Sequence, residues 1–324
     1  MPEVTYLEAI KQGMREEMQR DESVYILGED VGVYGGAFKV TSGFLEEFGP
    51  MRVIDTPLSE SAIVGAAIGS ALLGQRPIAE MQFMDFIACG FDQIVNMAAK
   101  LHYRTRMAVP MVIRGPSGGG VHGGPFHSQN PEAWFVHTPG LKVVQPSNPV
   151  DAYGLIKAAI RDDDPVLYFE HKYLYRRLKD ELPGDNFTVP IGSAKVVQEG
   201  TDLTIYTYGW MVEQSQLAAT QLAEDGTSVE IVDLRTLLPL DRETILASVE
   251  KTSKALIVHE DTRTLGVGAE VAAILAEEAF DLLDGPIVRV TAPDTPVPYS
   301  PPLEQAFLPN ADKIVAAARQ LAAY

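Results

Sequence analysis

One cysteine, Cys89, stands in a chain of 324 residues, so no disulfide within the chain can brace the fold. That usage suits a reducing compartment. Positive charge is also scarce. Against 44 Asp and Glu there are 26 Lys and Arg, which leaves a formal net charge of -18 and a pI near 4.7. Such a surface repels phosphate backbones and anionic lipid headgroups, so neither a nucleic-acid nor a membrane role is expected. No apolar run approaches the roughly 18 residues needed to cross a bilayer. The opening residues, Met1-Pro2-Glu3-Val4-Thr5, carry neither the basic nor the apolar segment of a secretion signal. Fixed-period repeats and low-complexity tracts are missing, as are the P-loop motif and HExxH. With one isolated cysteine and six scattered histidines, no zinc-ligand spacing is formed. What these absences leave is a soluble α/β protein, expected in the cytoplasm.

What is present is a hydrophobic fraction of 46%, enough for a large core, and a length that suits two domains. Short apolar runs at 24–27, 52–54, 77–81, 110–114, 141–144 and 165–169 predict strands. Helical periodicity fills 7–20, 61–73, 91–103 and 150–161 between them. Strands that read as continuous apolar runs separated by helices imply a parallel sheet covered on both faces. At 182–187 Pro, Gly, Asp and Asn cluster and the pattern breaks, which reads as a linker. A second alternation follows, with strands at 203–207, 228–232, 255–259 and 287–290 and helices at 211–224, 242–249, 268–283 and 311–323. The expected fold is therefore α/β in two domains, 1–186 and 187–324, each a mainly parallel sheet flanked by helices.

The most informative segment is Arg52-Val53-Ile54-Asp55-Thr56-Pro57-Leu58-Ser59-Glu60. A strand runs into a Pro turn, and Glu60 falls in the first turn of a helix rich in Gly and Ala. Open α/β sheets put their chemistry at such junctions, and the small residues invite a close backbone neighbour. Glu29, in Gly28-Glu29-Asp30, closes the first strand at the same kind of edge. Gln82 and Phe86 follow the third and can line the same cleft, whereas Phe83 and Met84 read as core. The glycine-rich stretch 115–128 contains a formal GxGxxG at Gly118, Gly120 and Gly123. A dinucleotide site also needs a helix to start inside that motif, and Gly124-Pro125 follows instead. The stretch reads better as a mobile loop that delivers His127, a residue type able to exchange protons near neutral pH.

Together these pieces resemble the beta subunit of the thiamine-diphosphate-dependent decarboxylating component of 2-oxo acid dehydrogenase complexes. The resemblance covers the whole chain. It is carried by Leu27-Gly28-Glu29-Asp30-Val31-Gly32, Asp55-Thr56-Pro57-Leu58-Ser59-Glu60, Phe91-Asp92-Gln93-Ile94, His127-Ser128-Gln129, Pro139-Gly140-Leu141-Lys142-Val143-Val144 and Asp233-Leu234-Arg235-Thr236. It implies a transketolase-like pyrimidine-binding domain followed by a transketolase C-terminal-like domain, the latter serving dimer contacts and docking. It implies that Glu60 hydrogen-bonds a ring nitrogen of the cofactor's aminopyrimidine and so favours the imino tautomer. Burial disfavours the charge of such a carboxylate while a helix N-terminus favours it; burial is expected to win at Glu60. Glu29, Leu58, Ser59, Gln82 and Phe86 are implied to wall the aminopyrimidine. His127 is implied to steer protons and to assist acyl transfer to a lipoyl arm.

No GDG segment occurs. In this family the residues that hold Mg2+ and the diphosphate lie on a separate alpha subunit. The resemblance therefore implies half a site per chain, no metal ligand here, an alpha2beta2 heterotetramer, and a lipoyl-bearing acyltransferase component as a further partner. Some relatives bind potassium through carbonyls near 159–164. The stretches 127–133 and 173–176 look closer to branched-chain 2-oxo acid enzymes, and the tail 291–301 looks closer to pyruvate or acetoin relatives. The alternatives are thus an acetoin dehydrogenase beta subunit and, far behind, an NAD-binding oxidoreductase.

Overall fold

A computed structural model describes residues 3–324. The chain divides into two compact units, one of residues up to Ser117 with Trp134–Ile191, the other of Gly118–Ala133 with Gly192–Tyr324. Residues 118–128 of the glycine-rich stretch, which sequence order would leave in 1–186, thus group with the second unit.

The first unit contains β1 (Glu3–Thr5), α1 (Tyr6–Arg20), β2 (Val24–Gly28), α2 (Phe44–Phe48), β3 (Val53–Asp55), α3 (Glu60–Leu72), β4 (Arg76–Glu80), α4 (Ala99–Thr105), β5 (Val112–Ser117), α5 (Glu132–Val136), β6 (Lys142–Val144), α6 (Pro149–Arg161), β7 (Val166–His171) and β8 (Lys179–Glu181). Helix α5 takes its first two residues from the second unit. Within the first unit the main strands lie in the order β6-β7-β5-β4-β2-β3, and each neighbouring pair is parallel. Strands β5 and β7 are buried at every position; their first residues are apolar, and the buried Arg114, Ser117, Glu170 and His171 follow. The chain leaves β2 for β3 on one side and later returns to β4 on the other. Such a reversal opens a crevice at the carboxyl ends of the strands.

Local chemistry sets the helix starts. Thr5 and Glu8 form a reciprocal capping box ahead of α1. Asn148 caps α6, whose first residue is Pro149. The helix expected over 91–103 forms as one continuous helical run, though it is not α-helical throughout. A 3-10 stretch spans Met84–Gly90 and a wide π turn spans Gln93–Ala98 before α4 begins. At Gly90 a Cβ would lie 3.1 Å from Val64 Cγ2 and 3.5 Å from the Glu60 carbonyl, so the segment runs tight against α3. Short pieces with no periodicity to announce them, β1, β8, α2 and α5, had no counterpart in the sequence reading.

The second unit contains β9 (Lys195–Gln198), β10 (Leu203–Thr207), α7 (Trp210–Glu224), β11 (Val229–Asp233), β12 (Thr236–Leu238), α8 (Arg242–Thr252), β13 (Ala255–Thr262), α9 (Val267–Glu278), β14 (Val288–Ala292), α10 (Pro301–Phe307) and α11 (Ala311–Ala322). Its sheet runs β14-β13-β10-β11-β9, parallel except for the edge strand β9. Both sheets are thus mainly parallel and flanked by helices, as the alternation of runs predicts. Among the described residues no helix is long and apolar enough to cross a membrane.

Candidate active site

Three neighbouring strands of the first unit end together. Gly28 pairs with Asp55 of β3 and with Glu80 of β4, so Glu29, the 56–60 turn and Gln82 emerge at one edge. The edge is fastened from below. The Thr56 N–H donates to the Gly28 carbonyl at 2.9 Å, and the Gly32 N–H donates to Asp55 at 2.6 Å. Gln82 Nε2 donates to Asp30 at 3.1 Å. Beneath it Arg114 is fully buried between Glu80 and Glu170, with Tyr175 donating to Glu170 at 2.6 Å. Breaking such a buried pair from one side costs ~3–5 kcal/mol, so the strand ends are held in one arrangement.

Glu60 is the first residue of α3. Glu29 is 6% exposed, and its Oε1 is buried with no hydrogen-bond partner. Burial, and after it the charges of Glu60 and Asp30, push the Glu29 carboxyl above its ordinary range. The two acids therefore feel each other, and the edge favours retaining a proton. Around them Leu58 is 79% exposed, Ser59 is exposed, and Gln82 and Phe86 are half-buried. Phe86 sits edge-on to Phe83 with ring centroids 5.8 Å apart, and Phe83 sits on Phe38 at 5.4 Å. The structure thus brings Glu29, Leu58, Ser59, Glu60, Gln82 and Phe86 to one sheet edge. Within this chain Glu60 is half-buried. Helix α3 covers the inner side alone, and its outward positions Ala62, Ala66 and Gly69 face away from the unit's core.

His127 belongs to the second unit, half-buried on the irregular stretch between β5 and α5. No α-helix starts inside the GxGxxG match; a 3-10 turn, Gly124–Phe126, follows it. The amides that a phosphate would need are already taken. Gly119 donates to Glu260, and Gly120 and His122 donate to Glu304. This removes the dinucleotide reading on physical grounds.

Sequence reasoning missed a buried acidic group in the second unit. Tyr208 donates to Glu132 at 2.8 Å, and burial with the nearby Asp261 raises the Glu132 carboxyl well above its usual range. Asp261 itself is pushed up to about 7, chiefly by burial. His259 lies fully buried beside them, stacked on Tyr208 with centroids 6.1 Å apart, and burial lowers it to about 4. The signal in the sequence was the apolar run 255–258 passing directly into His259-Glu260-Asp261. Among the described residues no group of three His, Cys, Asp or Glu has the geometry to hold a metal ion.

Residues 2–177 match the transketolase pyrimidine-binding domain and residues 192–314 the transketolase C-terminal domain. Across 327 residues, all of both chains, the sequence is 52% identical to the 2-oxoisovalerate dehydrogenase beta subunit of Bacillus subtilis. The chain belongs to the beta subunits of 2-oxo acid dehydrogenase decarboxylating components. Pyruvate dehydrogenase E1 beta subunits are similar too. That of Staphylococcus aureus is 47% identical over 99% of each chain, and that of Staphylococcus epidermidis 46% over 98%. A solved split-gene transketolase, described as an inactive beta4 tetramer, shares the fold with a TM-score of 0.82 over 99% of this chain and 98% of its own, at 24% identity. This family of dehydrogenase subunits works with thiamine diphosphate. The edge fits the cofactor's aminopyrimidine half. It offers an apolar side chain, an aromatic ring, a carboxylate on a helix start and an unpartnered buried carboxylate oxygen.

Proposed function

We propose that this chain supplies the aminopyrimidine half of a thiamine-diphosphate site that decarboxylates a 2-oxo acid, branched-chain substrates ahead of pyruvate. In this reading the site is shared with an alpha subunit that holds Mg2+ and the diphosphate. The assembly is an alpha2beta2 heterotetramer in the cytoplasm, and the acyl product passes to a lipoyl-bearing acyltransferase component. The second domain serves dimer contacts and docking. The observation that carries the proposal is the Glu29–Glu60 pair at the carboxyl edge, where Glu29 keeps an unpartnered buried oxygen and is pushed toward its protonated form.

When bound, thiamine diphosphate supplies a nucleophilic carbon and an electron sink for decarboxylation. The chain's own part is to bind and to hold protons. Glu60 holds a proton at the pyrimidine nitrogen. Glu29, whose carboxyl is raised by burial and by the neighbouring acids, lies beside it with an oxygen free to meet the ring. Phe86 and Leu58 give the ring an apolar bed, Ser59 and Gln82 border it, and His127 moves protons during acyl transfer. Identity of 52% with a 2-oxoisovalerate enzyme supports the branched-chain preference, although a methylene changes pocket affinity by only ~1–3 kcal/mol.

The test is reconstitution with a matching alpha subunit, thiamine diphosphate and magnesium, followed by turnover of 2-oxoisovalerate, pyruvate and acetoin. Decarboxylation only in the mixture, fastest with 2-oxoisovalerate, is expected. Activity of this chain alone would overturn the shared site. Turnover of acetoin but neither 2-oxo acid would replace the substrate class.

A further inference from the structure

Glu260, on β13, and Glu304, on α10, are 6% and 1% exposed. Both spend their oxygens on the glycine-rich loop. Glu260 accepts from the Gly119 N–H and, at 3.0 Å, from Asn130 Nδ2. Glu304 accepts from the Gly120 N–H at 3.1 Å and from the His122 N–H at 3.2 Å, and its other contact is His122 Nδ1 at 2.6 Å. All these residues belong to the second unit. Burying a carboxylate is costly unless its lone pairs are taken, and amide donors to an ionised acceptor make strong bonds. The two acids thus grip both ends of a loop whose middle holds His127.

The glycines in this loop are a requirement of space. Gly118 and Gly120 have φ of 86° and 80°, and His122 has 60°, so nearby N–H groups turn to one side as in an anion-binding nest. A Cβ on Gly119 would lie 3.3 Å from Glu260 Oε1 and 3.4 Å from Glu304 Oε1. A Cβ on Gly123 would lie 2.9 Å from His127 Cβ, and one on Gly124 would lie 2.4 Å from the Tyr299 ring. Any side chain at these places would push the loop off its anchors or push His127 aside. The stretch read from sequence as a mobile carrier of His127 is therefore tied down.

We infer that Glu304 and Glu260 are positioning residues that clamp the 118–130 loop and thereby fix where His127 is presented. The inference rests on the role proposed for His127, and its test separates the two. The assembled holoenzyme is prepared as Glu304→Gln, His127→Ala and the double variant. Two quantities are read: hydrogen exchange of the amides at 118–126, and the single-turnover rate of acyl transfer to a lipoylated domain.

Glu304→Gln is expected to speed exchange of the Gly120 and His122 amides about tenfold and to slow transfer roughly 10–100-fold, the scale of a small misplacement. The double variant is expected to be no slower than His127→Ala, because residues acting as a unit are non-additive. Parental exchange in Glu304→Gln overturns the clamp. A Glu304→Gln loss that persists at full size on the His127→Ala background overturns the positioning role. If His127→Ala transfers at the parental rate, the role proposed for His127 falls, while the exchange result still decides the clamp. Should Glu304→Gln fail to assemble, Glu260→Gln is read the same way at the Gly119 amide.

Discussion

Glu60 and His259 are two titratable groups whose surroundings give them opposite tasks. Glu60 opens α3 half-exposed, beside a buried Glu29 whose own charge is disfavoured. Replacing it with Gln keeps the shape and removes the exchangeable proton. Glu60→Gln is expected to lower decarboxylation by at least ~100-fold in the assembled enzyme with an unchanged thermal midpoint; turnover at the parental rate would dismiss the assigned role. His259 is held neutral. Its folded value of about 4 lies below the ordinary 6.5, so between those values the unfolded chain binds the extra proton. Its share of stability is present above pH 6.5 and is lost as pH falls toward 4. That gap is worth ~3 kcal/mol at most. Asp261, raised to about 7, works in the other direction, losing its share as pH rises from near 3.8 to 7. The two effects overlap, so the difference between variants is what can be measured. In urea unfolding, His259→Phe should lose less stability than the parent when pH drops from 7 to 5; parallel pH curves would contradict the assignment.

At the scale of elements, close approach decides more than propensity does. Helices α1 and α6 meet at Gly13, where a Cβ would lie 2.5 Å from Ile156 Cγ2 and 3.2 Å from the Tyr153 carbonyl. Gly to Ala inside a helix normally gains ~1 kcal/mol. Here the overlap is with a branched side chain and with backbone, and overpacking of that kind costs ~1–3 kcal/mol. Gly13→Ala is therefore expected to be destabilising by up to ~2 kcal/mol, read as a lowered urea midpoint with an unchanged slope. A stabilised variant would show that the helices separate freely. The 3-10 and π stretches before α4 follow the same logic. Apolar periodicity predicts one helix there, and one helical run forms, with a π turn at Gln93–Ala98 after Gly90 passes close to α3.

For the whole molecule, the half-buried state of Glu60 and the outward small residues of α3 belong together. Ala62, Ala66 and Gly69 lie exposed on one helical face, and Leu58 and Leu73 beside them are 79% and 85% exposed. In the role proposed for it Glu60 needs a dry site, and this chain covers one side of that carboxylate. Under the proposed assembly an alpha subunit covers the other. Ala66→Arg should then leave the isolated chain's unfolding free energy within about 0.5 kcal/mol of the parent, as exposed substitutions do, while abolishing co-purification with the alpha subunit. Intact assembly in that variant would move the interface elsewhere.

The sequence by itself determined the fold class and the strand edge. Alternating runs announce two parallel sheets, and residues 55–60 put Glu60 at a strand-to-helix turn, because these signals are local and periodic. It also supplied Glu29, Gln82 and Phe86 by the same logic of strand ends. It could not show that Glu29 keeps an unpartnered oxygen, that Arg114 ties β4 to β7, or that Glu304 holds the loop carrying His127 from 182 residues away in the chain. Those depend on which polar groups meet across the fold and which are left without a partner. They leave no period in the sequence, because the choice of partner depends on which surfaces the folded backbone brings within hydrogen-bond reach.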